Sequence, residues 1–172
     1  GDYDGDGQND YAVWRPSNGT WYFLGSTNIF SVRQFGQTGD KPTQGDYDAD
    51  GVTDFAVFRP SNATWYLQLT KVPSFVVRQF GESSDQPVPA DYDGDGKTDI
   101  SVFRPSNAVW YRLTATEGFA AFTFGQNGDK PVPGDYDKDG KTDIAVWRPS
   151  VGHYFILRSS NGQFTATQFG SN

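Results

Sequence analysis

Cysteine and methionine are absent from the 172 residues, and histidine occurs once, at His153. The chain therefore has no disulfide, no thiol nucleophile and no thiolate metal site, and a Ser-His-Asp or Cys-His constellation has almost nothing to draw on. We expect no enzyme. No apolar run approaches the ~20 residues of a membrane-spanning helix, so no membrane insertion is expected. The 14 Lys and Arg residues form no basic stripe, which argues against nucleic acid as a partner. There is no signal-peptide pattern, so the sequence reads as a mature chain or an excised piece of one. Acid is abundant instead: 21 Asp and Glu residues give a formal charge of -7. Aromatics are abundant too, at 16% against a mean hydropathy of -0.63, so the core is expected to be built mostly from rings.

The acid is concentrated. Asp2-Tyr3-Asp4-Gly5-Asp6-Gly7-Gln8-Asn9-Asp10 recurs in three later copies whose first aspartates are Asp46, Asp91 and Asp135, giving periods of 44, 45 and 44 residues. Each copy has aspartate at loop positions 1, 3, 5 and 9 and glycine at position 6. The carboxylates are Asp2, Asp4, Asp6 and Asp10, then Asp46, Asp48, Asp50 and Asp54, then Asp91, Asp93, Asp95 and Asp99, then Asp135, Asp137, Asp139 and Asp143. Alternate aspartates on a tightly curved loop can aim at one hard cation, with the glycine taking the backbone angle that the curvature needs. The position 7 carbonyl of Gln8, Val52, Lys97 or Lys141 is the expected backbone ligand.

Asp-Gly loops also make hairpin turns without metal, but a turn needs two or three such residues and not four carboxylates at fixed spacing. Close like charges repel unless a cation lies between them. We expect about four calcium ions. Filling four sites with divalent cations would take the formal charge from -7 to +1, so the acidity belongs to the loops rather than to a surface for basic partners. The loop is not an EF-hand, because position 12 is Val13, Val57, Val102 or Val146, inside an apolar run that reads as strand.

After each loop comes an alternating strand, Tyr11 to Arg15, Phe55 to Arg59, Ile100 to Arg104 or Ile144 to Arg148, which a Pro-Ser turn ends. A second strand follows at Trp21 to Leu24, Trp65 to Gln68, Trp110 to Leu113 and Tyr154 to Leu157. Beyond a variable loop, a third strand ends in Phe-Gly. A linker bearing Asp40, Asp85 or Asp129 then leads into Lys41-Pro42-Thr43-Gln44, Gln86-Pro87-Val88-Pro89 or Lys130-Pro131-Val132-Pro133. Alternate prolines remove amide donors from one side of an extended segment, so this piece should be a sheet edge. Each unit is then a four-stranded antiparallel sheet in an all-β chain. The repeats run 1–44, 45–89, 90–133 and 134–172, as one repeat domain over 1–172.

Phe35-Gly36, Phe80-Gly81, Phe124-Gly125 and Phe169-Gly170, each in order with an acidic loop and the strand behind it, resemble the repeats of the FG-GAP family. That family is known from the integrin alpha-subunit propeller and from many secreted bacterial and fungal proteins. The resemblance covers essentially the whole chain, although Trp/Phe-Arg-Pro-Ser stands where the family has Gly-Ala-Pro and the repeat is shorter than in integrins. It implies a β-propeller blade per repeat, calcium in the hairpin loop between the first and second strands, and the proline-rich strand innermost, lining a central channel. The edge segment occurs three times, which makes fifteen strands. Two architectures are expected: a four-bladed ring, or a section of a larger propeller or repeat array.

Function follows as a set of expectations. The first is a secreted or cell-surface calcium-binding module acting as a structural scaffold or adhesion element toward a protein or glycan partner. The second is a lectin binding glycans between blades through the repeated Arg15, Arg59, Arg104 and Arg148 and Trp21, Trp65, Trp110 and Tyr154. The bland alternative for those residues is arginine paired with Asp40, Asp85 or Asp129, and aromatics in the core. The third is self-association into a fibre. Asn18-Gly19-Thr20 and Asn62-Ala63-Thr64 are N-glycosylation sequons on equivalent turns. His153 has no repeated role and reads as a surface strand residue.

Overall fold

The computed structural model describes residues 1–71 and 74–170. Among them lie fifteen strands and no helix. The chain forms two compact units, Gly1–Ser83 and Ser84–Asn172, each with two sheets.

In the first unit, β1 (Tyr11–Arg15), β2 (Thr20–Leu24) and β3 (Phe30–Gln34) form a three-stranded sheet. Beside it, β4 (Lys41–Pro42), β5 (Phe55–Arg59), β6 (Thr64–Leu69) and β7 (Ser74–Gln79) form a four-stranded one. The second unit has β8 (Gln86–Pro87), β9 (Ile100–Arg104), β10 (Val109–Thr114) and β11 (Gly118–Thr123), then β12 (Lys130–Pro131), β13 (Ile144–Arg148), β14 (His153–Leu157) and β15 (Phe164–Gln168). Every pairing is antiparallel between chain neighbours, the order of propeller-type blades.

The prolines lie where their missing donors do no harm. Strands β4, β8 and β12 are edges, and the amide just beyond each turns inward: Thr43 to Ala56 O at 2.9 Å, Val88 to Ser101 O at 2.9 Å and Val132 to Ala145 O at 2.8 Å. Pro87 and Pro89, flanking Val88, point their nitrogens the other way. The third strands end at the residue immediately before the Phe-Gly pair. The phenylalanine amide still reaches the hairpin carbonyl of Gly19, Ala63, Ala108 or Gly152, after which the glycine turns the chain at positive φ. At Gly36 a Cβ would meet the Trp14 ring at 2.5 Å, so the turn also needs the missing side chain.

The cores are largely aromatic, as the composition suggests. In the first unit Tyr3, Trp21, Phe55 and Val57 are buried together, with Trp14, Phe23, Phe35 and Tyr66 packed around them. In the second, Val88, Tyr92, Phe103, Trp110, Ile144 and Val146 do the same. A side chain that leaves the loop (Tyr3, Tyr92) thus seals the space between two neighbouring sheets.

Candidate metal centres

Each acidic loop is closed at its base by an antiparallel bridge, with Gly45 opposite Asp54, Ala90 opposite Asp99 and Gly134 opposite Asp143. In the first copy the Asp10 amide donates to Gly1 O at 2.7 Å. The position 6 glycines, Gly7, Gly51, Gly96 and Gly140, have φ between 82° and 87°, the left-handed turn that the spacing requires. Position 4 is left-handed as well, at Gly5, Ala49, Gly94 and Lys138.

The position 1 carboxylate anchors the curl. Asp2 accepts from the amides of Gly5 and Gly7 at 2.7 and 2.8 Å, and Asp91 from Gly94 and Gly96 at 2.7 and 2.9 Å. Asp46 and Asp135 do likewise with their own loops. At position 5, Asp6, Asp50, Asp95 and Asp139 accept from the amides of Gln8, Val52, Lys97 and Lys141 at 2.8–2.9 Å. At position 9, Asp10, Asp54, Asp99 and Asp143 accept from the amides of Tyr3, Tyr47, Tyr92 and Tyr136 at 2.7–3.0 Å.

These bonds leave oxygens converging. Carboxylate oxygens within 4.8 Å of one another come from Asp2, Asp4 and Asp6 in the first loop and from Asp46, Asp48 and Asp50 in the second. In the third and fourth loops the trios are Asp91, Asp93 and Asp99, and Asp135, Asp137 and Asp143. Positions 1 and 3 therefore converge in all four copies, with position 5 or position 9 completing the trio. Oδ1 of Asp48 and Oδ1 of Asp137, both at position 3, are buried with no hydrogen-bond partner. A buried carboxylate oxygen without a donor is costly, and an all-oxygen cluster of this kind suits a hard cation.

The electrostatics agree. Burial pushes Asp99 up to about 7, with Asp93, Asp91 and Asp95 adding repulsion against the downward pull of the Tyr92 amide. Burial and the charges of Asp10, Asp6 and Asp2 raise Asp4. Asp93 is lowered despite its burial, because the hydroxyl and amide of Thr116 hold its anion.

Thr116 belongs to a set that sequence reasoning missed. The hairpin beyond the second strand, which reads as variable, folds over the loop. Ser26 and Thr70 donate through both amide and hydroxyl to Asp10 and Asp6, and to Asp54 and Asp50, respectively. Ser159 bonds Asp143 and Asp139, and Ser160 bonds Asp137. The signal was present: a hydroxyl residue lies sixteen positions after the position 9 aspartate in three copies, with Ala115 in the third. There Thr116 contacts Asp93 instead. Loops of one unit also touch, since Thr53 N donates to Asp2 O and Thr142 N to Asp91 O.

The repeated arginines and aromatics go elsewhere. Arg59, Arg104 and Arg148 form two-pronged ion pairs with Asp40, Asp85 and Asp129 at 2.7–2.9 Å. The three aspartate side chains are fully buried. Each guanidinium lies over Tyr66, Tyr111 or Phe155 at 4.2–4.4 Å, and Arg15, which is exposed, lies over Tyr22 at 4.5 Å. Trp21, Trp65 and Trp110 are buried, and their Nε1 atoms donate to the carbonyls of Phe35, Phe80 and Phe124 at 3.0–3.1 Å. These positions hold the fold together and offer no ring face to a sugar. Tyr154 is half-buried against Trp147, and half-buried His153 contacts Val151 O.

The model of the FG-GAP-like repeat matches twice, over residues 46–102 and 91–146, together more than half of the chain. The chain belongs to the FG-GAP-like repeat family. No curated protein matches it. Among solved structures it is similar to a catalytically inactive virginiamycin B lyase from Staphylococcus aureus with quinupristin, at 10% identity and a TM-score of 0.61. That similarity covers 95% of this chain and 53% of the lyase, and the selenomethionine form of the same lyase gives a TM-score of 0.60 at 10% identity over the same shares. AztD of Citrobacter koseri is similar at 13% identity and a TM-score of 0.51, over 92% of this chain and 44% of that one. This FG-GAP-like chain thus spans about half the length of the structures it resembles. At such identities the likeness is one of fold alone.

Proposed function

We propose that this FG-GAP-like chain is a calcium-stabilised interaction module that works outside the cell. The observation that carries the reading is the convergence of three carboxylates in every loop, with position 3 oxygens buried and unpaired in two of them. Asp2, Asp4, Asp6 and Asp10 and their counterparts would hold the ion, with the carbonyls of Gln8, Val52, Lys97 and Lys141 as further donors. Calcium would supply charge neutralisation and would tie the hairpin to the loop through the same carboxylates. Extracellular calcium is plentiful enough to fill sites of modest affinity. The test is calorimetric titration of chelated protein with calcium. About four sites should fill, with a higher unfolding temperature, and absence of uptake would end the proposal.

End-to-end association is a second reading that a specific contrast favours. Val57 and Val146 are 0% exposed in the cores of their units, whereas Val13, at the same place in the first repeat, is 65% exposed, with Tyr11 at 84%. Tyr3 and Tyr92 are buried, whereas Tyr136 is 44% exposed. The face of β1, and the fourth acidic loop at Tyr136, thus leave open positions whose counterparts make the contact between sheets inside a unit. A protein or glycan ligand at a cell surface is compatible with such a module. The tryptophan-based lectin reading loses its platforms to burial.

A further inference from the structure

On the second strand of each sheet, residues two apart share a face. Beyond the aromatic that opens it, that face carries Phe23, Leu67 and Ile156 in three repeats, and Arg112 in the third. Arg112 is only 8% exposed, so a guanidinium stands at a core position. Its Nε is buried without a hydrogen-bond partner. Its carboxylate contact is loose, Nη2 to Glu117 Oε2 at 3.9 Å, and the Glu117 side chain is 49% exposed. The rings of Tyr92 and Phe122 flank it at 5.2 and 4.8 Å. They attract the cation but do not replace a planar anion in front of its N–H groups.

Arg112 lines a cavity of about 300 Å³, together with Lys141, Arg158 and the apolar surfaces of Tyr92, Phe122 and Leu157. Three cations thus meet one partly exposed carboxylate. A similar space in the first unit, about 410 Å³, is lined by Phe23, Val32, Phe55 and Leu69. Its one arginine, Arg33, donates to Gln68 Oε1 at 3.2 Å. The space between neighbouring sheets therefore comes with the repeat, and a buried cation whose carboxylate contact is only a loose one is particular to the second unit.

We propose that this cavity binds a small cyclic organic carboxylate. Its carboxylate accepts from the Arg112 guanidinium, Lys141 and Arg158 add charge, and the ring lies against the aromatic and aliphatic wall. The volume is at the small end for ligand pockets, which suits one ring rather than a polymer. An inorganic anion would leave the apolar wall uncovered.

The test is titration calorimetry on the calcium-loaded chain with benzoate and glucuronate, each against a neutral counterpart, benzamide and methyl glucoside. An Arg112→Leu variant, which restores the residue type of the second repeat, is measured in parallel. Saturable binding of at least one carboxylate is expected, weaker by about tenfold or more for its neutral counterpart and for Arg112→Leu. The variant should fold and melt no lower than the parent, because it removes a buried charge lacking a full partner. The proposal is overturned by no binding of either carboxylate, by equal binding of the neutral counterpart, by undiminished binding to Arg112→Leu, or by a variant that melts far lower or fails to fold. Binding is scored on Arg112 and calcium uptake on the loop aspartates, so either reading can fail alone.

Discussion

At the scale of the residue, the loops divide their aspartates between two tasks. Position 1 spends its lone pairs largely on the amides that curl the loop, whereas at position 3 Asp48 and Asp137 each keep a buried oxygen without a donor. The curl depends on the position 6 glycine. A Cβ on Gly96 would meet nothing within 4 Å, so the cost of Gly96→Ala is the left-handed backbone itself. We expect a loss of about 1–2 kcal/mol in urea denaturation, with calcium affinity falling alongside because the same backbone aims the ligands. A neutral substitution would show that the turn is not held in that conformation.

At the scale of the element, the Arg–Asp pairs staple the linkers after the first three Phe-Gly pairs to the strand beyond the next loop. Asp40 is fully buried and is held by Arg59 and by the Gln37 amide. The paired carboxylate raises the Arg59 pKa, so the guanidinium stays charged. Arg59→Met removes the cation and strands the carboxylate, which should cost about 3–5 kcal/mol. Adding Asp40→Leu should recover much of that loss, and denaturation of the single and double variants measures both. If the double variant were as unstable as the single one, the linker would owe its position to the ion pair itself and not to relief of a buried charge.

At the scale of the whole molecule, each unit buries its aromatic core between two sheets and sets two acidic loops side by side. Filling a loop at a hundredfold excess over its Kd stabilises by about 2.7 kcal/mol, so chelation should lower the unfolding temperature steeply. The exposed face of β1 leads to a separate expectation. If end-to-end contact occurs, sedimentation velocity in calcium should show mass rising with concentration, and Val13→Lys should hold the chain at its smallest species. A constant mass at all concentrations for the parent chain would remove that reading.

The loops, the strand order and the edge strands were legible because each is encoded locally. Carboxylates at alternate positions of a nine-residue turn meet whatever surrounds them, and alternate prolines disable one side of a strand in any context. The hydroxyls of Ser26, Thr70 and Ser159 were legible only in retrospect, as a spacing of sixteen across a hairpin of variable sequence. The period of a strand puts Arg112 on the face of Trp110, but only the packing of the neighbouring sheet shows that this face is buried. The opposed readings of the repeated tryptophans, and the contrast between Val13 and Val57, were beyond sequence altogether. The same residue type at the same repeat position is core or surface according to whether another sheet lies against it. Sequence alone determined the local geometry of this protein, and tertiary structure decided burial, because burial depends on neighbours that are distant in the chain.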